Sequence, residues 1–305
     1  MAAPPSVLVL GAGELGRAML DALHVHPKNG NTSISVLLRT ATIASQDATK
    51  QKDIASLKNH GIQIVAGDIV EHSEEQLAAT LGKYDTVINA TGMYAPPGTQ
   101  TRLCKAAIDS GCRRYFPWQF GVDYDVIGPN SSQNLFTEQL AIRGLLREQC
   151  KMEWVIVSTG MFTSFLFEPA LDLVNAARDT VTAIGSWENS ITVTSPSDIG
   201  RLTAEIALAA PEVQGVVYTA GDTVSMARLA EIVEGVMGKE IKRVLKTVPQ
   251  FREELAQDPE NGTKKYRVVF GEGVGVSWEK EKTFNMQRGI KVETAEEWAM
   301  ANLTK

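Results

Sequence analysis

The feature that most constrains the fold is a short apolar run that meets a spaced set of glycines near the start of the chain. Residues 6–10 read SVLVL, which suits a buried strand. Three glycines follow at once, Gly11, Gly13 and Gly16. In a strand–glycine–helix unit these glycines permit a tight turn, admit a pyrophosphate and let the helix pack closely. The amides that open such a helix, here at Glu14 and Leu15, attract phosphate. The motif predicts a dinucleotide site, with a plain glycine turn as the alternative.

Further apolar runs recur along the first half of the chain, and helical stretches alternate with them. The runs cover residues 34–38, 63–66, 86–89, 114–116 and 154–157. The helical stretches cover residues 51–59, 74–81, 101–110 and 133–149. Apolar strands that alternate with helices are typical of an α/β fold, here a Rossmann-type doubly wound parallel sheet with helices on both faces.

The pattern changes after residue 160, where an apolar and aromatic segment replaces the alternation. We expect residues 1–160 to form the dinucleotide-binding Rossmann domain, with residues 186–222 returning to it. Residues 161–185 and 223–305 then form a smaller C-terminal substrate domain.

Composition excludes several classes of protein. The chain has 305 residues, of which 44% are apolar and 22% charged, and these fractions argue against disorder, collagen and coiled coil. A net charge of −6 gives no reason to expect a nucleic-acid partner. Three cysteines without metal-ligand spacing predict no metal site. Neither a secretory pattern nor an apolar run of roughly 18 residues occurs, so we expect a cytoplasmic protein without a membrane span.

The end of the second apolar run decides between NAD and NADP. NAD enzymes usually carry an acid about 20 residues after the glycines to bind the ribose 2′-hydroxyl. This chain has Arg39 there instead, and a guanidinium binds a 2′-phosphate in a fork. We therefore expect NADP(H), with Thr40 and Ser45 as hydroxyl donors; a solvated strand-end charge is the alternative for Arg39. The ends of later strands add further candidate residues, namely Asp68, Ile69, Thr91, Gly92 and Met93.

Two common catalytic motifs are absent from the sequence. None of the six tyrosines has a lysine four residues later, which disfavours the tyrosine–lysine dyad of classical short-chain dehydrogenases. No GxSxG elbow occurs, which argues against a Ser-His-Asp hydrolase.

Several segments together resemble one known family. They are the glycine motif, Leu38-Arg39, Gly67-Asp68, the sequence YFPWQFG at residues 115–121, and SDIG at residues 197–200. The chain resembles the NmrA-like, isoflavone-reductase-like atypical short-chain reductases over roughly its first 240 residues. It is most similar to a fungal secondary-metabolism branch that includes imine reductases of the swainsonine type. The resemblance implies a nicotinamide end lined by residues 117–121, namely Pro117, Trp118, Gln119, Phe120 and Gly121, together with Met161 and Phe162.

This chain differs from the plant members of the family at the residue that would donate a proton. Plant members carry a lysine on the helix after this segment, and matching Leu135-Phe136 to that helix puts Gln139 at its position. Leu135, Ile142 and Leu146 share the helical spacing of Gln139, which predicts an inward-facing amide. An amide cannot act as a general acid. Gln139 is therefore either a structural amide or a residue that orients the substrate.

The absence of this lysine restricts the kinds of reduction that the chain is expected to catalyse. Reduction of a ketone or enone builds negative charge and benefits from an acid, whereas hydride addition neutralises an iminium. An iminium calls for acidic or aromatic surroundings, and Asp123 and Tyr124 follow a loop glycine where they could provide them. Tyr124 is then the candidate proton donor if one is needed.

The sequence therefore predicts an NADPH-dependent reductase that transfers hydride to a C=N bond of a small secondary-metabolite intermediate. Two alternatives stay open, namely an enone reductase of the isoflavone-reductase type and a redox sensor that binds the dinucleotide without turnover. The expected partner is a small-molecule substrate, and a homodimer is an open alternative to a monomer.

Overall fold

The computed structural model of the chain describes residues 4–92, 95–131, 134–208 and 213–304. The chain divides into two compact units, each built from several segments. The first unit comprises residues 1–119, 141–157 and 199–217, and the second comprises residues 120–140, 158–198 and 218–305.

The first unit is organised by a seven-stranded sheet. Its strands, numbered in chain order, are β1 (Ser6–Leu10), β2 (Ser33–Leu38), β3 (Gln63–Ala66), β4 (Thr86–Asn89), β5 (Arg114–Phe116), β6 (Glu153–Ser158) and β10 (Gly215–Tyr218). The order is β10-β6-β5-β4-β1-β2-β3, and the neighbours from β6 to β3 pair in parallel. Val9 of β1 lies between Val36 of β2 and Ile88 of β4. A sheet that reverses its strand order beside β1 is doubly wound, which confirms the fold class.

Seven helices accompany these strands. They are α1 (Glu14–Val25), α2 (Thr40–Ile43), α3 (Ala48–Asn59), α4 (Glu74–Leu81), α5 (Thr99–Ser110), α7 (Thr137–Glu148) and α8 (Pro196–Leu208). Local chemistry fixes their ends: Asp47 caps α3, and Ser73 and Gln76 form a capping box on α4. Both faces of the sheet are covered, so strand residues such as Leu8 and Val87 are buried, which explains their continuous apolar sequence.

A buried arginine ties one end of this sheet to a helix. Arg114, the first residue of β5, is fully buried, and its guanidinium donates to the carbonyl oxygens of Ile206 and Val213. Ile206 lies in the last turn of α8, where carbonyl groups lack helical partners. The cation therefore satisfies the helix end and is stabilised by its dipole.

The second unit contains two small sheets and a helical cover. Its elements are α6 (Tyr124–Ile127), β7 (Met161–Phe162), β8 (Thr180–Ile184), β9 (Ser190–Thr194), β11 (Asp222–Ser225), α9 (Met226–Met237), β12 (Lys242–Lys246), α10 (Val248–Ala256), α11 (Gly262–Glu272), α12 (Phe284–Gln287) and α13 (Ala295–Leu303). The sheets have the orders β11-β9-β7 and β12-β8. One apolar cluster joins them to the helices through residues such as Val193, Leu229 and Phe251.

The unit boundaries differ from the domain boundaries expected from the sequence. Residues 215–218 do join the large sheet as β10, but β9 pairs with β7 and β11 instead. Residues 120–140 belong to the second unit, although they precede residue 160. The helix expected over 133–149 is α7, which begins at Thr137, and Gln133 lies outside the described residues. Periodicity identifies a strand but not its partners, and that explains the difference.

Two features are absent from the described ranges. No helix there is long and apolar enough to cross a bilayer. No group of three or more histidine, cysteine, aspartate or glutamate side chains comes together as a metal site.

The start of α13 holds two carboxyl groups close together. The Glu293 amide donates to Oδ2 of Asp198 at 2.7 Å, and the Ser195 hydroxyl donates to the same oxygen at 3.2 Å. Burial, and then the charge of Asp198, raise the pKa of Glu293 above its ordinary value. Ionised Glu293 therefore opposes folding.

Glu293→Gln should raise the melting temperature at neutral pH. The gain in melting temperature is fully present above the folded-state pKa of Glu293, where the carboxyl is ionised in both the folded and the unfolded protein. It disappears below the ordinary pKa, where the carboxyl is protonated in both. Because Glu293 is only half-buried and solvent screens its charge, we expect a gain of only about 1–2 °C at pH 8 and none at pH 4. Thermal unfolding at both pH values measures it.

Glu297→Gln is the control with the opposite sign. The backbone amide and hydroxyl of Thr294 lower the pKa of Glu297, so its ionised form stabilises the start of α13. Its replacement should lower the melting temperature at pH 8. A lower melting temperature for Glu293→Gln at pH 8 would contradict the electrostatic account.

Candidate cofactor site and active site

Close packing around the turn after β1 requires two of its three glycines. Gly11 has a φ of +89°, and its amide donates to the Leu37 carbonyl at 3.1 Å. A Cβ on Gly11 would lie 2.0 Å from Oγ1 of Thr91, and one on Gly16 would lie 2.3 Å from the carbonyl oxygen of Gly11. These distances leave no room for a side chain. Strand, turn and helix are therefore held at the closest approach that the backbone allows.

The middle glycine differs from its neighbours because space lies open above it. Gly13 caps α1 in an extended conformation, and a Cβ there would meet nothing within 4 Å. Gly13 has no side chain to cap the helix, so the amides that begin at Glu14 and Leu15 carry the helix dipole without an acceptor from the cap residue. An exposed Gly13 beside an uncapped N-terminus fits a bound pyrophosphate.

Arg39 stands exposed at the carboxyl end of β2. It forms the extended residue before α2, and its guanidinium has no carboxylate partner within the described ranges. Thr40 is also exposed, and the Ser45 hydroxyl accepts the Asp47 amide at 3.3 Å. The exposed cation and the exposed Thr40 that follows it are available to a phosphate, and the part played by Ser45 stays a prediction.

In the turn after β3, the Asp68 side chain accepts a hydrogen bond from the backbone of the same turn. Asp68 accepts the Val70 amide at 2.8 Å through Oδ1, which closes a tight turn. Arg102 donates to the carbonyl of Ile69 at 2.9 Å and holds the same turn from α5. The Asp68 carboxylate thus shapes the backbone at the strand end, and Ile69 is buried beneath it.

A buried amide network that the sequence analysis missed fixes the loop after β4. Asn89 donates to Oε1 of Gln100 at 2.7 Å and accepts the Thr91 amide at 3.0 Å. Gln100 donates to the Thr91 carbonyl at 2.9 Å, and the Thr91 hydroxyl donates to the Leu10 carbonyl at 2.8 Å. Asn89 ends an otherwise apolar strand, and that polar position was the available signal. The network presses Thr91 against the glycine turn.

The next residue of that loop supports an aromatic side chain. A Cβ on Gly92 would lie 2.0 Å from Cδ2 of Trp118, so the indole rests directly on the Gly92 backbone. Trp118 is half-buried. The structure therefore brings Gly92 and Trp118 together, while Met93 lies outside the described residues.

A buried cation holds the segment after β5. Gln119 is fully buried. Its backbone amide donates to the Pro117 carbonyl at 2.8 Å, and its side-chain Oε1 accepts a hydrogen bond from Nε of Arg143 at 2.8 Å. Arg143 lies on α7 and is only 1% exposed. The sequence analysis missed Arg143, although a charged residue next to Ile142 in an apolar stripe was a signal. Gln119 thus holds its own loop through a side-chain contact to α7.

Asp123 is a buried acid of the second unit whose carboxylate and backbone are held by several hydrogen bonds. It is 7% exposed and caps α6, where Oδ1 accepts the amides of Asp125 at 3.2 Å and Val126 at 3.4 Å. The Tyr218 hydroxyl donates to Oδ2 at 2.6 Å, and the Asp123 amide donates to the Gly275 carbonyl at 2.8 Å. Each carboxylate oxygen therefore has a fixed donor.

Tyr124 occupies a different environment from its neighbour. Its ring is 5% exposed and packs against Phe136 with the centroids 4.9 Å apart. A Cβ on Gly121 would lie 2.5 Å from the Tyr124 hydroxyl oxygen, so the hydroxyl abuts the Gly121 backbone. Its role as a proton donor stays a prediction.

The remaining candidates of the second unit are hydrophobic side chains and one amide. Phe120 and Met161 are buried, and the Phe162 ring lies 5.5 Å from that of Phe165. Gln139 lies half-buried on α7. Leu135, expected on the same helical stripe, precedes the first residue of α7 and so does not belong to it.

The first unit therefore has the fold and the glycine cradle of a dinucleotide-binding protein. The sequence model of the NmrA-like family matches residues 5–298, and the chain belongs to that family. A protein of Gibberella moniliformis, described as an NmrA-like family domain-containing oxidoreductase, is 44% identical over 303 residues. The alignment covers 98% of this chain and 99% of that relative.

Solved structures show the same fold. A structure of isoflavone reductase has a TM-score of 0.80 at 19% identity and covers 99% of this chain and 100% of its own. AtPrR2 with NADP+ and (+)pinoresinol has the same TM-score and identity and covers 99% of both chains. The predicted family is confirmed, and the swainsonine-type branch stays a prediction.

Gly13→Val should separate cofactor binding from folding. A Cβ at this position would meet no protein atom within 4 Å, so we expect the melting temperature without cofactor to change by no more than about 2 °C. The valine fills the space expected for the pyrophosphate, so the Kd for NADPH should rise at least about tenfold. Thermal unfolding and fluorescence titration measure the two effects.

Gly16→Ala is the matched control, because its Cβ would meet the Gly11 carbonyl oxygen and should lower the melting temperature without any cofactor. Unchanged NADPH affinity in Gly13→Val would rule out the cradle.

Arg39→Ala should weaken binding of NADPH but not of NADH. Loss of a fork of charge-assisted hydrogen bonds to the 2′-phosphate predicts a Kd for NADPH about 10–100-fold higher. Arg113→Ala removes the same charge just before β5, at the opposite ends of the parallel strands, and should leave both affinities unchanged. Equal losses of affinity for NADPH and NADH in Arg39→Ala would refute the assignment of Arg39 to the 2′-phosphate.

Proposed function

We propose that this chain is an NADPH-dependent reductase that delivers hydride to the C=N bond of a small iminium substrate. Membership of the NmrA-like family and the relative described as an oxidoreductase support the reductase assignment. The observation that carries the iminium assignment is the Asp123 carboxylate, held at both oxygens.

The cofactor assignment rests on residues of the first unit. The uncapped N-terminus of α1 beside Gly13 suits the pyrophosphate, and Arg39 suits a 2′-phosphate. NADP+ is present in one neighbouring structure. When bound, NADPH supplies the hydride. The residues of this chain bind and orient the cofactor, and the loop that Arg143 and Gln119 hold belongs to the predicted nicotinamide end.

Asp123 suits a cationic substrate because of its charge and its position in the chain. It follows Gly121 by two residues, so its Cα lies within about 7 Å of the end of the segment predicted to line the nicotinamide. A carboxylate fixed there pairs with a protonated imine nitrogen and orients the carbon that accepts hydride. Hydride addition neutralises the nitrogen, so no side chain has to donate a proton in that step.

The neutral amide of Gln139 favours a C=N over a C=C substrate. Hydride addition to an enone leaves negative charge that needs an acid or oxyanion donor, and an amide cannot provide the acid. Isoflavone reductase among the structural neighbours keeps the enone reductase as the second candidate.

Turnover of a small panel of substrates tests the proposal. We expect NADPH oxidation with a cyclic imine such as dihydroisoquinoline to be faster at pH 6 than at pH 8, because the iminium is the reactive form. Turnover of cyclohexenone alone would replace the proposal with the enone reductase. Tight NADPH binding without turnover of either compound would favour the redox sensor.

Asp123→Asn should selectively impair imine reduction. Asparagine keeps the cap of α6 but removes the charge that pairs with the iminium, so kcat/KM for the imine should fall about 100-fold. The Kd for NADPH should not change. Asp125→Asn alters an exposed neighbour on the same helix and should retain activity. Equal activity of Asp123→Asn and the parent protein would eliminate Asp123 as the counter-ion.

A further inference from the structure

Tyr218 is a polar residue near Asp123 that sequence reasoning did not single out. It ends β10, and its hydroxyl donates to Oδ2 of Asp123 at 2.6 Å across 95 residues of sequence. A hydrogen bond of this length to a carboxylate is short and charge-assisted. The Tyr218 side chain is only half-buried, so the pair is not sealed inside the core.

The ring of Tyr218 is braced from one side by an indole. Trp278 meets it edge-on, with ring centroids 5.2 Å apart and an interplanar angle of 67°. Trp278 is fixed in turn, because Nε1 donates to the Thr219 carbonyl at 3.1 Å and its amide donates to Oγ1 of Thr192 at 3.1 Å. Thr223 donates to the Trp278 carbonyl at 3.1 Å. The Nε1 bond restricts the rotamer of the tryptophan, the other two bonds hold its backbone, and the edge-on contact braces the Tyr218 ring in turn.

We propose that Tyr218 is a positioning residue that sets the Asp123 carboxylate for a cationic nitrogen and so makes the protein select charged over neutral ligands of the same shape. The inference deepens the proposed function and rests on it for the role of Asp123. Backbone amides fix Oδ1 and Tyr218 fixes Oδ2, so the plane of the carboxylate is set before a ligand arrives.

Pre-organisation affects a cation more than a neutral ligand. An ammonium or iminium gains most of its binding energy from the direction and distance of the carboxylate, whereas a neutral isostere gains only packing. Without the Tyr218 hydroxyl, Asp123 can rotate and take up water, and the charged ligand loses an oriented partner.

Direct binding of two matched ligands tests the inference without relying on turnover. The probes are tetrahydroisoquinoline, which is protonated at pH 7, and isochroman, its neutral oxygen isostere, each titrated by calorimetry into the protein with NADP+. We expect the wild type to prefer the ammonium. In Tyr218→Phe its Kd should rise about tenfold, while the Kd of isochroman and that of NADP+ stay within about twofold.

Tyr266→Phe is the matched control, because it removes a tyrosine hydroxyl from the same unit, where the ring packs on Phe136 and Phe270. Its affinities for both probes should equal those of the wild type. Equal weakening of both probes in Tyr218→Phe would reduce Tyr218 to a structural residue and overturn the inference. A wild type without preference for the ammonium would also overturn it, whereas absent imine turnover with the preference intact would reject only the proposed reaction.

Discussion

The organisation of the cofactor site depends on one close contact, between the Gly11 turn and the Thr91 side chain. Thr91 donates to the carbonyl of Leu10, and its hydroxyl occupies the space that a Cβ on Gly11 would need. The ends of β1 and β4 are thereby held together. The helix that starts at Gly13 and the loop that carries Gly92 each begin within two residues of this contact. Because packed interiors transmit small displacements, a shift here would move both the phosphate cradle and the support of Trp118.

How much the sequence could predict depended on whether the signal was local. The glycine turn, the strands and the exposed Arg39 each follow from neighbouring residues, and the structure has the strands at the expected residues, although the edge strand β3 is only partly buried. The partners of β9 could not be predicted, because an apolar run carries no label for the strand beside it. The same limit concealed the bond between Tyr218 and Asp123, which joins residues 95 positions apart.

Buried polar groups have different roles in the two units. Asn89 and Gln100 have neutral side chains, and only one loop separates the strand end of Asn89 from the helix of Gln100. The Asn89 amide donates to Gln100, and the Gln100 amide donates to the Thr91 carbonyl, so most of their hydrogen-bonding groups have partners. Such a network sets a backbone conformation and has little to offer a ligand. Asp123 is charged and caps a four-residue helix, and its donors come from the first turn of that helix and from Tyr218. A charged group held in this way is suited to recognition.

The burial of Asp123 explains why such an arrangement favours a cation. A carboxylate that is 7% exposed has lost most of its hydration, and that loss is costly unless donors replace the water. Backbone amides and Tyr218 replace part of it without neutralising the charge. A neutral ligand adds packing but leaves the negative charge uncompensated, whereas a cation compensates it in surroundings of low dielectric constant. The proposed selectivity for charge thus depends on how the acid is buried, whereas the expected affinity for the cofactor depends on the glycine turn.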